Sequence, residues 1–225
     1  MDDFKIEAVA FDMDGLMFDT ERVAIELWMA AGAVEGWKIG LELLKSFAGQ
    51  PEYLDRQRLI EVLGPDFPYD SIVAKRLDME AEYFLKNEIP IKPGLVDIIA
   101  FFGAKGLPMA VATSTPRYRA LPLLGKAEVL DCFAFALCGD EVTNPKPSPE
   151  IYLKAARKFG VAPGSCLVFE DSRAGIAAAS AAGTIPVMIP DQMEPDEAAR
   201  SRAARVFGSL SEVRDWLARA AVGSA

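Results

Sequence analysis

Short apolar runs alternate with helix-like segments along most of the chain. Five runs rich in aliphatic and aromatic residues predict buried strands at residues 6–11, 109–112, 133–137, 166–169 and 185–189. Helical periodicity fills the intervals at 95–105, 117–124, 149–159 and 174–182. Helix stops are expected at Gly106, Gly125, Gly160 and Gly183. Strands that alternate with helices of this length predict an α/β fold built on an open parallel sheet.

The stretch from residue 20 to residue 88 breaks this alternation, because it has helical periodicity and no convincing strand. It is either a long helical crossover within one domain or a helical cap inserted after the first strand. Connections inside compact domains are usually short, which favours the cap. We therefore expect a core formed by residues 1–18 and 90–225 and a cap domain formed by residues 19–89.

Polar side chains directly follow several of the predicted strands. Ligands of open parallel sheets bind beyond the carboxyl ends of the strands, so these side chains are candidates for one shared site. Lys146 joins them from a loop that Pro145 and Pro147 stiffen just ahead of a helix. The full set comprises Asp12 and Asp14 after the first strand, Thr113, Ser114 and Thr115 after the second, Glu170 and Asp171 after the fourth, and Lys146.

The composition narrows the chemistry and the setting of this site. The 225 residues include no histidine, which excludes Ser-His-Asp hydrolases, Cys-His proteases and zinc sites built on histidine. A net charge of −9 disfavours a nucleic-acid binder. Cys132, Cys138 and Cys166 lack metal-ligand spacing, and we expect them to be buried free thiols. With no long apolar stretch and an acidic start, a cytoplasmic protein without membrane contact is expected.

Four carboxylates in one site require a cation, because like charges raise one another's pKa. Ligands that are all oxygen predict Mg²⁺ and not zinc. Asp12 and Asp14 point the same way from a strand, which predicts Asp12 as a nucleophile that forms an aspartyl-phosphate and Asp14 as the general acid and base. Thr113, Ser114 and Lys146 would hold the phosphate. Each signal alone more often marks a turn, a helix cap or a surface lysine, so the prediction depends on their joint occurrence.

In their order and spacing these residues resemble the four motifs of the haloacid dehalogenase superfamily, in the branch of the β-phosphoglucomutases and sugar phosphatases. The motifs are DMDGLMFDTE from residue 12, VATS from residue 111, KPSPEIY from residue 146 and FEDSRAG from residue 169. The resemblance covers essentially the whole chain. It implies a Rossmann-like core with an inserted helical cap.

The resemblance also implies how Mg²⁺ would be held. The ligands would be the Asp12 side chain, the Asp14 backbone carbonyl and the Asp171 carboxylate, with Glu170 in or next to the shell. Dehalogenases of the superfamily lack an aspartate at the position of Asp14, since a departing halide needs no proton. Its presence here argues against dehalogenation.

Selectivity is expected to reside in the cap, where the resemblance makes Gln50, Arg56 and Arg58 candidates for substrate contact. The leading prediction is hydrolysis of a small phosphate monoester, a sugar phosphate above all, by a monomeric enzyme. A mutase of the β-phosphoglucomutase type is the alternative, although some relatives carry a cap histidine that this chain lacks. A receiver-type phospho-acceptor module is the remote alternative, and the large helical insertion argues against it.

Overall fold

The computed structural model of the chain describes residues 5–46 and 52–222, with the main chain alone at 52–55 and 220–222. Six parallel strands form one sheet in the order β3-β2-β1-β4-β5-β6. They are β1 Ala8–Phe11, β2 Met109–Ala112, β3 Phe135–Leu137, β4 Cys166–Glu170, β5 Ile185–Met188 and β6 Arg205–Val206. The helices are α1 Thr20–Val34, α2 Leu41–Lys45, α3 Glu52–Leu63, α4 Tyr69–Lys86, α5 Leu95–Ala104, α6 Arg117–Lys126, α7 Glu150–Phe159, α8 Arg173–Ala181, α9 Glu197–Arg202 and α10 Leu210–Val222. The predicted Rossmann-like α/β fold is confirmed.

Both faces of the sheet are covered, as parallel sheets require. Successive side chains of a strand point to opposite faces, so Val9 and Phe11 enter one core and Ala8 and Ala10 enter the other. Helices α5, α6 and α10 cover the first face, and α7 and α8 cover the second. On the first face the Phe11 ring meets the rings of three other phenylalanines, which are Phe102, Phe133 and Phe169.

The structure departs from the predicted elements in several places. Strand β1 begins at Ala8 and not at residue 6, and helices α9 and α10 were not predicted. Strand β6 was not predicted, because two residues, exposed Arg205 and half-buried Val206, give no periodic signal. Strand β3 begins at Phe135, since residues 130–132 form a short 3₁₀ turn. The expected helix stop at Gly125 was wrong, because α6 continues to Lys126. Cys132 lies in that 3₁₀ turn and is exposed, so only Cys138 and Cys166 are buried as predicted.

Helices α1 to α4 form what we call the helical segment. It has a hydrophobic cluster of its own, which includes Ile25, Leu59 and Ile72. The chain leaves and re-enters the sheet at one place, where Phe18 pairs with Ile91 and the Lys92 N–H donates to the Met17 carbonyl at 2.9 Å. Among the described helices, none combines the length and the apolar content that crossing a membrane requires. The domain boundaries at residues 18 and 90 stay a prediction.

The aromatic cluster on the first face is expected to dominate the stability of the core. Phe102 is 1% exposed and Val96, on the same helix, is 60% exposed. We expect Phe102→Ala to lower the free energy of unfolding by about 3–5 kcal/mol, because truncation removes buried area and leaves a cavity. The matched control Val96→Ala should change it by less than about 0.5 kcal/mol. Urea unfolding followed by fluorescence measures both, and equal effects would contradict the assignment of Phe102 to the core.

Candidate active site

Lys146 lies at the centre of a buried polar cluster beyond the carboxyl ends of β1 and β4. Its ammonium group donates to Asp12 Oδ1 at 2.5 Å, to Glu170 Oε1 at 2.6 Å and to the Ala112 carbonyl at 3.0 Å. The lysine is 6% exposed and Glu170 is fully buried. Asp12 and Glu170 hold the pKa of Lys146 well above its ordinary value, although burial acts in the opposite direction. The lysine is therefore charged, with its hydrogen-bond donors satisfied by three strand ends.

The loop that carries Lys146 is fixed by the first residue of α7. The Glu150 carboxylate accepts hydrogen bonds from the backbone N–H groups of Thr143 and Asn144, both at 2.9 Å, and from Lys154 at 2.7 Å. The hydrogen bond from Lys154, and then those from the two N–H groups, lower the pKa of Glu150 to about 2. An ionised carboxylate thus holds the loop at the position from which Lys146 reaches the strand ends.

Three carboxylates converge beside this lysine. Oxygens of Asp12, Glu170 and Asp171 lie within 4.8 Å of one another. Burial raises the pKa of Asp12 to about 8; Lys146 acts against this shift, and Glu170 adds to it. Burial, and then Glu170 and Asp12, raise the pKa of Asp171 well above its ordinary value. Lys146 alone therefore does not balance the negative charge, and an oxygen-only donor set with this excess fits a hard divalent cation such as Mg²⁺.

Gly15 allows Asp171 to approach the loop after β1. Its φ of +82° lies in the left-handed region that favours glycine. A Cβ atom at this position would lie 2.2 Å from Asp171 Oδ2. The glycine of the first motif therefore brings the Asp171 carboxylate against the main chain that follows Asp14.

Both carboxylate oxygens of Asp14 accept hydrogen bonds from hydroxyl groups. Thr20 donates to its Oδ1 at 2.6 Å and Thr115 donates to its Oδ2 at 2.7 Å. Thr113 reaches the same Oδ2 at 3.4 Å. These bonds orient the carboxylate towards the rim of the sheet, at the start of both α1 and the turn that leads into α6.

The turn after β2 carries the two predicted phosphate ligands. Thr113 is 1% exposed, and its Oγ1 accepts a hydrogen bond from the Thr115 N–H at 3.0 Å. Ser114 is exposed, and its backbone packs so closely on Gly139 that a Cβ there would lie 2.0 Å from the Ser114 carbonyl oxygen. A hydrogen bond within the turn and close packing against Gly139 thus fix its conformation.

The comparisons with known proteins point to one family. A family description of haloacid dehalogenase-like hydrolases matches residues 6–183. The chain belongs to this family. The resemblance stated from the motifs is therefore confirmed, and so is the prediction of a hydrolase.

Relatives of this haloacid dehalogenase-like hydrolase include enzymes named for phosphorylated sugars. A phosphorylated carbohydrates phosphatase of Thermotoga maritima is 34% identical over 178 residues, which are 79% of this chain and 82% of the relative. The fructose-1-phosphate phosphatase YqaB of Escherichia coli is 30% identical over 173 residues, 77% of this chain and 90% of the relative.

Solved structures agree on the fold. The structure titled putative β-phosphoglucomutase from Thermotoga maritima superposes with a TM-score of 0.79 at 29% identity and covers 95% of this chain and 99% of its own. A haloacid dehalogenase family hydrolase from Deinococcus radiodurans, with bound phosphate and sodium, gives a TM-score of 0.81 at 26% identity, with 97% and 98% covered.

Two further charged residues of the hydrolase lie beside its acidic cluster and were not predicted. Asp191, in the loop after β5, pairs with Lys92 at 2.7 Å, and its side chain is 6% exposed. Its Oδ2 would lie 3.3 Å from a Cβ at Gly15. Asp191 also adds to the raised pKa of Asp171. The pairing joins positions 99 residues apart, so no local pattern signals it.

The structure describes two of the three predicted cap residues. Gln50 lies outside the described residues. Arg56 pairs with Asp70 and stacks over the Tyr69 ring at 5.1 Å, so it joins α3 to α4. Arg58 is exposed on α3. Their part in substrate contact stays a prediction.

Gly175 is where close packing supports the buried Glu170. A Cβ at Gly175 would lie 1.9 Å from the Glu170 Oε1, and Tyr152 holds the same oxygen at 2.5 Å. We expect Gly175→Ala to destabilise the fold by about 1–3 kcal/mol through overpacking. The matched control Gly103→Ala meets no atom within 4 Å and should be neutral or stabilise α5 by up to about 1 kcal/mol. Thermal unfolding measures both, and a neutral Gly175→Ala would contradict this packing.

Proposed function

We propose that the protein is a Mg²⁺-dependent phosphatase that hydrolyses a phosphorylated sugar through an aspartyl-phosphate on Asp12. The observation that carries this proposal is the contact of Asp12 with Lys146 inside a cluster of three carboxylates. The names of the relatives support the substrate class, since they include phosphatases of phosphorylated carbohydrates and of fructose 1-phosphate.

The first half of the reaction transfers the phosphoryl group to Asp12. Oδ1 of Asp12 is bound by Lys146, which leaves Oδ2 as the attacking atom. The O–P bond forms as the bond from phosphorus to the leaving oxygen breaks. Thr113 and Ser114 would bind the phosphoryl oxygens, and Lys146 would join them by exchanging one of its three acceptors for a phosphoryl oxygen. A bound Mg²⁺ would neutralise the charge that the phosphoryl group shares with Asp12.

The second half of the reaction releases phosphate and restores Asp12. In the first half Asp14 gives its proton to the leaving oxygen. In the second half it takes a proton from water, whose oxygen bonds to phosphorus as the bond between phosphorus and Asp12 breaks. The hydroxyl groups of Thr20 and Thr115 fix its carboxylate for both transfers. In a chain without histidine, a second carboxylate can do this work.

Residues that would hold Mg²⁺ are Asp12 and Asp171 through their side chains and Asp14 through its backbone carbonyl, with Glu170 adjacent. The close approach of Asp171 to the main chain at Gly15 fits this set. The monomeric state and the cytoplasmic location that we expected from the sequence stay predictions.

The nucleophile is tested by Asp12→Asn. We expect hydrolysis of p-nitrophenyl phosphate to fall by about 10³-fold or more, because the amide is not nucleophilic. Exposed Asp131 provides the matched control Asp131→Asn, which should keep wild-type turnover. Full activity in Asp12→Asn would show that another group attacks phosphorus.

Metal dependence is tested by removal of the ion. EDTA should stop the release of inorganic phosphate from a panel of sugar phosphates, and added Mg²⁺ should restore it. Mg²⁺ at about 100 times its Kd should stabilise the fold by about 2.7 kcal/mol, and Asp171→Asn should lose most of that gain. EDTA-insensitive turnover together with no Mg²⁺-dependent shift in Tm would overturn the metal assignment.

The mutase alternative differs only in the fate of the phosphoryl group. A hydrolase releases inorganic phosphate, whereas a mutase returns the group to another hydroxyl of the sugar. The same sugar-phosphate panel, analysed for free phosphate and for isomers, separates the two.

A further inference from the structure

A second charged cluster lies where the helical segment meets the core. Arg119, in the first turn of α6, donates to the Glu80 carboxylate on α4. The other oxygen of Glu80 accepts from Arg76 at 2.5 Å. Glu80 and Arg76 are 7% and 8% exposed. Two guanidinium groups therefore share one buried carboxylate.

Arg119 is the member of this cluster that reaches towards the active site. Its helix begins directly after the turn whose Thr115 hydroxyl binds Asp14. Burial lowers the pKa of Arg119, but Glu80 and then Asp14 outweigh this effect and raise it. The side chain keeps 29% exposure, whereas that of Arg76 keeps 9%. Arg119 thus lies four residues beyond Thr115, whose hydroxyl binds Asp14, the residue proposed to protonate the leaving group.

The cluster is built so that Arg119 can exchange its partner. A buried carboxylate that loses its only cation is strongly destabilised. Glu80 avoids this cost, because Arg76 stays bound to it, packed over the Trp28 ring at 5.5 Å. Arg76 Nε is buried and has no hydrogen-bond partner among the described residues. Arg76 and Arg119 together carry two positive charges, and Glu80 balances only one of them.

We propose that Arg119 is a specificity residue that binds a second anionic group of the substrate, on the part that departs with the oxygen protonated by Asp14. Glu80 occupies Arg119 until that group arrives. The planar guanidinium suits a carboxylate or a second phosphate equally, since both offer paired oxygens. This inference rests on the proposed phosphatase function and narrows its substrates to sugar phosphates with an additional negative charge.

If the Arg119–Glu80 ion pair were purely structural, loss of Arg119 would change the substrate preference no more than loss of another cation at the same interface. Lys126 is that other cation and supplies the control. Lys126 lies at the other end of α6 and donates to the carbonyls of Phe84 and Asn87 at 2.5 and 2.7 Å. It therefore also joins α6 to the end of α4. Lys126→Gln removes one positive charge from the same interface, as Arg119→Gln does, but far from Asp14 along the helix.

The experiment compares matched substrates that differ by one charge. The pairs are glycerol 3-phosphate with 3-phosphoglycerate, which adds a carboxylate, and fructose 1-phosphate with fructose 1,6-bisphosphate, which adds a phosphate. Wild-type protein should have the higher kcat/KM for the more anionic member of at least one pair, and that pair identifies the group. Arg119→Gln should lower this preference about 10- to 100-fold, mainly through KM, as expected for a lost charge-assisted hydrogen bond. Lys126→Gln should keep it.

For Glu80→Gln we expect the opposite change in the KM for the anionic substrate. With its internal competitor neutral, Arg119 should bind the anionic substrate with a KM lowered several-fold. If Arg119→Gln and Lys126→Gln change the substrate preference equally, or if the wild type favours neither anionic member, the inference is overturned. p-Nitrophenyl phosphate tests the phosphatase function separately from the role of Arg119. If the wild type hydrolyses it but shows no preference for an anionic substrate, the phosphatase function stands and only the inference about Arg119 fails.

Discussion

A buried ammonium group holds the carboxyl ends of three strands together. Nζ of Lys146 binds Asp12 after β1, the carbonyl of Ala112 at the end of β2 and Glu170 at the end of β4. Burial of one charge among apolar layers is costly unless every donor has an acceptor. The lysine meets that condition only while the central strands keep their register. Sheet alignment and the chemistry of the site are therefore one constraint.

Much of the site was predictable because its residues directly follow apolar runs. Asp12, Thr113 and Glu170 each come at the end of a strand, and the ends of parallel strands meet at one edge. Lys146 was recognisable by its proline-flanked loop, although nothing in the sequence revealed that Glu150 fixes that loop. The strand order itself places these groups next to one another.

Sequence reasoning missed contacts that form only in the folded chain, between residues far apart in sequence. Thr115 and Asp14 are 101 positions apart, and Arg119 and Glu80 are 39 apart. No periodic pattern or motif signals either contact, although Asp14 itself belongs to the first motif. The misplaced helix stop at Gly125 has another cause, since glycine permits a left-handed turn but does not compel one. Cys132 has apolar neighbours in sequence, and only the 3₁₀ turn directs it outwards.

The chain leaves the sheet after β1 and returns beside its own point of departure. Asp19 N–H donates to the Pro90 carbonyl at 2.8 Å, and Phe18 pairs with Ile91. Because the two crossings are hydrogen-bonded neighbours, the intervening helices can lengthen, shorten or be exchanged while the sheet keeps its hydrogen bonds. This geometry provides a graft point. Evolution, or an engineer, can exchange these helices while the residues proposed to carry out the reaction stay in place.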